Sequence, residues 1–307
     1  MTAILRKELA DYFTSIRFVA LFALVFFVSA AGLVAASQGL RGANLPEGIV
    51  FLGLFTTSGS VIPSLTYLVA LLVPIIGIAL GFDAINSERA GGTLSRVLAQ
   101  PVFRDSVING KFLAGVVTLS IMVATMLLVI AGYGLSMIGV PPTAEEIIRL
   151  FFYLFLTIIY GAFWMGLAIL FSVVFRRVAA SLLFSLALWL FFSIFILMIA
   201  PGIANALAPA GDGTPAELVR NVELRQMIMR ISPNILFQEA TTVLLVPLMR
   251  TLGMVTVSQA AYMIPNPLSL GQSILLVWPH ITSLVSLSAI CFAISYVLFM
   301  RQEIRPT

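Results

Sequence analysis

The chain has 307 residues, of which 60% are hydrophobic and only 10% charged, with a formal net charge of +4 and a mean hydropathy of +1.09. A water-soluble domain of this size needs far more polar surface, so the composition excludes one and reads as an all-α integral membrane protein. The small positive balance does not point to nucleic acid, and a lone Cys291 and a lone His280 leave no intrachain disulfide and no Cys/His metal cluster.

Residues 1–16, MTAILRKELADYFTSI, read as an amphipathic helix lying along the membrane surface rather than as a cleavable signal. Ile4, Leu5, Leu9, Tyr12, Phe13 and Ile16 share one face, and Arg6, Lys7, Glu8 and Asp11 occupy the rest. Packing of this helix on other spans is the plainer alternative. Six segments are long and apolar enough to cross about 30 Å of hydrocarbon: 17–37, 62–85, 107–138, 150–175, 178–200 and 277–300. The third is long enough to tilt or project. The fourth and fifth, separated only by Arg176–Arg177, form a tight hairpin.

Spans two and three enclose a polar island, DAINSERAGGTLSRVLAQPVFRDSVINGK, from Asp83 to Lys111. Leu94, Val97 and Leu98 share a helical face within it, Thr93 can cap that short helix and Pro101 stops it. A short amphipathic helix held between two spans must dock on something outside the bilayer. Asp83 opens the island and is expected to pair with a basic neighbour. Gly77 and Gly81 give span two a GxxxG spacing, suited to a close helix contact such as a dimer seam.

Orientation follows from the basic residues at span ends. Arg6, Lys7, Arg17, Arg89, Arg96, Arg104, Lys111, Arg176, Arg177, Arg301 and Arg305 collect on one side, which is therefore expected to be cytoplasmic, with both termini. Six spans agree with that parity. By this topology residues 201–276 form a helical insert on the outer side, with helices at 216–231 and 235–262 between Gly/Pro/Asn turn signals. Residues 243–255, interrupted by Pro247 and Arg250, read as re-entrant or surface-lying; a seventh and eighth span here would also keep parity. His280, in Trp278-Pro279-His280, reads as an interfacial anchor at the outer end of span six, with a ligand or proton-relay role as the lesser alternative.

No P-loop, HExxH or GxSxG is present, and ionisable residues are nearly absent from mid-span, so neither ATP hydrolysis nor ion-gradient coupling is legible in this chain. With no energy source of its own, the chain needs a partner, and the island is where that partner would act.

Three pieces resemble the permease subunits of the ABC-2 family of ATP-binding-cassette transporters. They are the opening ILRKELADYFTSIRF with Arg6, Lys7 and Glu8, the island Asp83-x-Ile85-x-x-Glu88-x-x-x-Gly92-Thr93-Leu94…Pro101-x-x-Arg104…Gly110-Lys111, and the tail Phe299-Met300-Arg301-Gln302-Glu303-Ile304-Arg305. Within the family the likeness is to the branch holding the permeases of gliding motility and of nitrous-oxide-reductase maturation, although the 201–276 insert is larger than in minimal members. The resemblance implies a multi-pass permease of the cytoplasmic membrane, in contact with lipid and working as a homodimer or beside a paralogous permease. Two copies of a soluble ATPase subunit would hold ATP and Mg, and the permease itself would need no cofactor and catalyse no hydrolysis. It further implies that 86–106 is a coupling loop, with Glu88, Arg89, Gly92, Thr93, Leu94, Val97, Leu98, Pro101 and Arg104 at the ATPase groove. The expected outcome is export or translocation of a substrate. Two rival readings are force transmission to an outer partner through the insert and a membrane-embedded transferase, the latter weakened by the lack of convergent His, Asp or Glu at one depth.

Overall fold

A computed structural model describes residues 2–40, 50–92, 103–139, 141–209, 214–252 and 267–302. Among them every regular element is helical. Six helices are long and apolar enough to cross a membrane: Ile16–Leu40, Leu65–Ala90, Arg104–Ile138, Ala144–Val174, Val178–Leu207 and Leu270–Arg301. All six expected spans are found, and the molecule is an all-α membrane protein.

In chain order, α1 (Thr2–Thr14) precedes α2 (Ile16–Leu40), which is span one. A short α3 (Val50–Thr56) leads to α4 (Leu65–Gly81), which continues through a turn into α5 (Asn86–Ala90) to complete span two. Span three is α6 (Arg104–Ile138) and span four α7 (Ala144–Val174). Span five is α8 (Val178–Leu190), a π-helical turn (Phe191–Phe195) and α9 (Ile196–Leu207). Then come α10 (Pro215–Met229), α11 (Pro233–Leu245) and span six, α12 (Leu270–Arg301).

Local sequence sets several ends. Thr143 and Glu146 form a reciprocal capping box at the start of α7, and Ser269 and Gln272 do so at the start of α12. These boxes explain why spans four and six begin earlier than their apolar runs. Gly139, with φ of 74°, ends α6 in the left-handed conformation that glycine adopts without strain. At 35 residues α6 is about 52 Å long, longer than the hydrocarbon is thick, which agrees with the expectation that it tilts or projects.

The core is built around α7, which touches α4, α6, α8, α11 and α12. Its fully buried Tyr153, Tyr160 and Trp164 form an aromatic column. Gly77 and Gly81 of α4 face this helix. A Cβ at either would lie 2.6 Å from a backbone carbonyl, Gly161 O or Met165 O. The GxxxG spacing therefore serves a close contact within the chain; it is not a seam between copies. Spans two and four each have 67% of their apolar window buried, against 17% for span five and 22% for span six, so the latter two lie at the periphery.

The expected outer insert is partly core. Span five runs on to Leu207, and α10 returns antiparallel to it: Asn221 donates to Asn205 Oδ1 (2.9 Å) and to Ala208 O (2.7 Å). The α10–α11 turn then meets span five at its π-helical turn, where the Ser232 hydroxyl donates to Phe192 O (2.8 Å) and Asn234 Nδ2 to Ser193 Oγ (3.3 Å). Tyr160, which donates to Asn234 Oδ1 (3.3 Å), lies about 24 Å along α7, close to its midpoint. The α10–α11 hairpin thus enters from the end opposite the basic one and turns back halfway through the bundle. Phe237 of α11 is fully buried and stacks on Tyr160 at 4.3 Å between centroids. The helix expected over 235–262 ends at Leu245, two residues before Pro247. The segment expected to be a re-entrant or surface-lying helix, 243–255, is no longer helical after Leu245, and its residues 253–255 lie outside the described ones. The element that enters the bundle is instead α11, placed there by its apolar face: Ile235, Leu236, Phe237, Ala240, Val243, Leu244 and Leu245 are all buried.

His280 is not an interfacial anchor. It is 4% exposed, and its Nε2 is 2.7 Å from Glu239 Oε2, which also accepts from Arg230 Nε at 2.9 Å. The helix α12 starts ten residues before it, so the ring is carried inward against α11. Burial of an imidazole requires a partner, and Glu239 supplies one. At the same end Arg149, 1% exposed, donates to Leu244 O (2.9 Å), Leu268 O (2.7 Å), Ser273 Oγ (3.1 Å) and Glu145 (2.7 Å). It thereby ties span four to the end of α11 and the start of span six.

Candidate functional site

The candidate site is the basic end of the bundle, where both flanks of the loop at 86–106 are fastened to the rest of the chain. Thr93, Leu94, Val97, Leu98 and Pro101 lie outside the described residues. Glu88, Arg89, Gly92 and Arg104, with Arg6, Lys7 and Glu8 of α1, are described.

The entry flank is held first by Asp83. Its carboxylate accepts a two-pronged ion pair from Arg17 (2.8 and 2.6 Å), whose guanidinium also lies 5.0 Å over the Phe82 ring. The expected pairing of Asp83 with a basic neighbour is thus met from span one. The amides of Ile85 and Asn86 both donate to Ser172 Oγ on span four (2.9 and 3.1 Å). These are orphan donors at the start of α5, so span four caps the loop helix across the bundle. Gly92, at φ 64°, then turns the chain in the left-handed region that glycine adopts without strain.

Glu88 faces the start of span three. Lys111, 5% exposed, donates to Glu88 at 2.8 Å and to Glu8 at 2.9 Å. Lys7 lies at the edge of the group, 3.1 Å from Glu8, 3.2 Å from Asp11 and 3.6 Å from Glu88. Burial works against the charge on Lys7, yet the carboxylates of Glu8, Asp11 and Glu88 outweigh it and hold its ammonium above the usual lysine range. Tyr12, which donates to Leu80 O (2.9 Å), has its phenol pushed well up by burial and then by Glu8 and Asp83.

Glu8 corrects the expected orientation of α1. The inward face is the i, i+4 stripe Ile4–Glu8–Tyr12, with Glu8 8% exposed, while Phe13 and Ile16 are turned out at 39% and 88%. The pull of Lys111 outweighs the hydrophobic preference that would have kept Glu8 outside. Arg6 is exposed. Close contact of α1 with α6 runs through Gly110, where a Cβ would lie 2.7 Å from Ile4.

The exit flank begins at Arg104, the first residue of span three. Arg104 Nη1 donates to Gln302 O (3.2 Å), and Arg89 Nη2 donates to the same residue's side-chain oxygen. Gln302 Nε2 donates in turn to Val173 O at the end of span four (2.9 Å). Lys111, Ser172 and Gln302 were not singled out as site residues from the sequence. Lys111 had a signal, since a lysine one turn inside an apolar span needs an acid nearby. Gln302 lay only inside the quoted tail, with nothing to mark it from its neighbours, and Ser172 had no signal, because a serine near a helix end is ordinary.

These contacts define a multi-pass helical membrane protein in which the polar loop between spans two and three is braced at both of its described flanks. The comparisons with known proteins agree. The family model described as "ABC-2 family transporter protein" matches residues 2–304, and the chain belongs to that family. Two curated relatives are each named "Probable ABC transporter permease protein NosY". One, from Pseudomonas aeruginosa, is 32% identical over 187 residues, which cover 58% of this chain and 58% of the relative. The other, from Stutzerimonas stutzeri, is 31% identical over 147 residues, covering 47% of this chain and 46% of the relative. The chain thus matches about half the length of these relatives.

Proposed function

We propose that the chain is the permease subunit of an ATP-binding-cassette transporter, converting ATP hydrolysis on a separate soluble ATPase into movement of a substrate across the membrane. The ATPase, in two copies with ATP and Mg, acts on the 86–106 loop of a permease dimer in the cytoplasmic membrane. Termini and loop face the cytoplasm. The relatives' printed name as permeases supports this reading, and the observation that carries it is the bracing of the loop. Asp83, Ile85, Asn86, Glu88 and Arg89 on entry and Arg104 on exit reach spans one, four, three and six. A loop needed only to connect two spans requires none of these bonds. A loop that receives a push must be stiff against the helices it moves, so that a small displacement becomes a rigid-body shift.

The docking face is assigned to Leu94, Val97 and Leu98. Burying two such leucines is worth about 3–6 kcal/mol. The double change Leu94→Asp and Leu98→Asp is expected to abolish capture of the ATPase by the full chain, or to uncouple its hydrolysis from transport, with membrane insertion retained. Normal capture and normal transport by that variant would refute the assignment.

A further inference from the structure

We infer that Gln302 is a positioning residue that joins the two flanks of the 86–106 loop to spans four and six, so that these parts move as one block. The inference rests on the reading of the loop as the ATPase-driven element.

Gln302 is the first residue past the end of α12, and three of its polar atoms are used on three different parts of the chain. The side-chain oxygen accepts from Arg89 on the entry flank, the backbone oxygen accepts from Arg104 on the exit flank, and Nε2 donates to Val173 O. The last of these carbonyls lies in the final turn of span four, where it has no partner within its own helix. The partners lie 213, 198 and 129 residues away in sequence, so each bond joins elements that nothing local would hold together.

Beneath Gln302 lies a small apolar cluster, separate from the main core, made of Ile85, Val107, Ile108, Val173 and Phe299. Its members come from the entry flank, the first turn of span three, the end of span four and the end of span six. The same four elements thus meet twice, once through apolar packing and once through Gln302. Apolar contacts alone allow sliding, whereas directional bonds to two guanidinium groups and a carbonyl fix the register. The other described fastenings act elsewhere. Arg17–Asp83 ties span one to the entry flank, the Lys111 group ties α1 and the entry-flank Glu88 to span three, and Ser172 ties span four to the entry flank alone. Among the described residues, Gln302 is the one bonded to both flanks.

The test uses the full chain in nanodiscs with the ATP-binding-cassette ATPase that copurifies with it, in a Cys291→Ser background. Spin labels are placed pairwise through Phe103→Cys with Arg177→Cys, and Phe103→Cys with Met300→Cys, reporting the loop exit against the ends of spans four and six. With Gln302 present, both distances are expected to stay unchanged on trapping with ATP and vanadate. Gln302→Ala removes the side-chain bonds to Arg89 and Val173 but keeps the backbone acceptor for Arg104, so the 103–177 distance is expected to lengthen or broaden on trapping while the 103–300 distance holds and the ATPase is still captured. Gln302→Glu keeps an acceptor for Arg89 and loses the donor to Val173, so only the 103–177 distance is expected to respond. A general loss of stability would not separate the two distances, and this variant decides the matter if the alanine variant does not fold. If Gln302→Ala and Gln302→Glu both hold the two distances as the parent does, the relay is wrong while the coupling reading stands. If the parent chain captures no such ATPase, the coupling reading fails, and the relay with it.

Discussion

At the residue scale, the buried charges matter most, because each is costly alone and stable only in company. Lys111 bridges two carboxylates drawn from different elements, Glu8 on α1 and Glu88 on α5, with Lys7 supplying the second positive charge at the edge. Lys111→Met would leave those acids with only the half-exposed Lys7 at the edge of the group as counter-cation, and breaking a buried pair costs up to about 3–5 kcal/mol. The expected result is a clear drop in the midpoint of thermal unfolding in detergent. Adding Glu8→Gln should recover part of the loss, whereas independent sites would simply add their losses. Glu239 is the counterpart at the opposite end, holding both Arg230 and His280. Neither residue at these two centres could have been assigned its partner from sequence. Glu8 carried one hint, lying at i, i+4 from both Ile4 and Tyr12 on a helix whose apolar stripe it interrupts.

At the element scale, the α10–α11 hairpin divides into two unlike halves. Most of α10 is exposed and charged, with Glu217, Arg220 and Glu223 turned outward, whereas α11 is packed into the main core. Phe237→Ala would open a cavity beside Tyr160, and removal of a buried phenylalanine costs about 3–5 kcal/mol. Leu218→Ala on α10, where the side chain is 48% exposed, should leave unfolding nearly unchanged. Comparable losses at both positions would mean that α10 is as deeply built in as α11. The close approach of α4 to α7 gives a second check. Gly77→Ala puts a methyl 2.6 Å from a backbone carbonyl that cannot swing aside, so it is expected to cost about 1–3 kcal/mol and to lower the yield of folded protein in the membrane. The GxxxG spacing announced a close contact in the sequence but did not say with which helix, since the spacing describes one surface only.

At the scale of the whole molecule, the basic end and the opposite end have different architectures. The basic end gathers the loop flanks, α1 and the end of span six into a braced polar layer. The opposite end is closed by α3, the hairpin and the Arg149 clamp. The proposed orientation can be read directly with single cysteines in the Cys291→Ser background. In intact cells, a membrane-impermeant thiol reagent is expected to label Gly211→Cys and to leave Arg96→Cys unlabelled until the membrane is permeabilised. Labelling of position 96 in intact cells would invert the map and remove the loop from the reach of a cytoplasmic ATPase.

The sequence by itself determined the six spans, the all-helical class, the polar loop between spans two and three and the family to which the chain belongs. These follow from composition and from hydrophobic runs long enough to cross a bilayer, which are properties of contiguous residues. It also located the cluster of basic residues at span ends, because charge distribution needs no knowledge of folding. Only the tertiary structure decided that Glu8 turns inward, that α11 enters the bundle, that His280 is buried against Glu239, and that Gln302 meets Arg89, Arg104 and Val173. Each of these is a pairing between residues far apart in the chain. Inside a protein a polar group goes where its partner is, and the partner's position is set by the packing of whole helices, which no local pattern encodes.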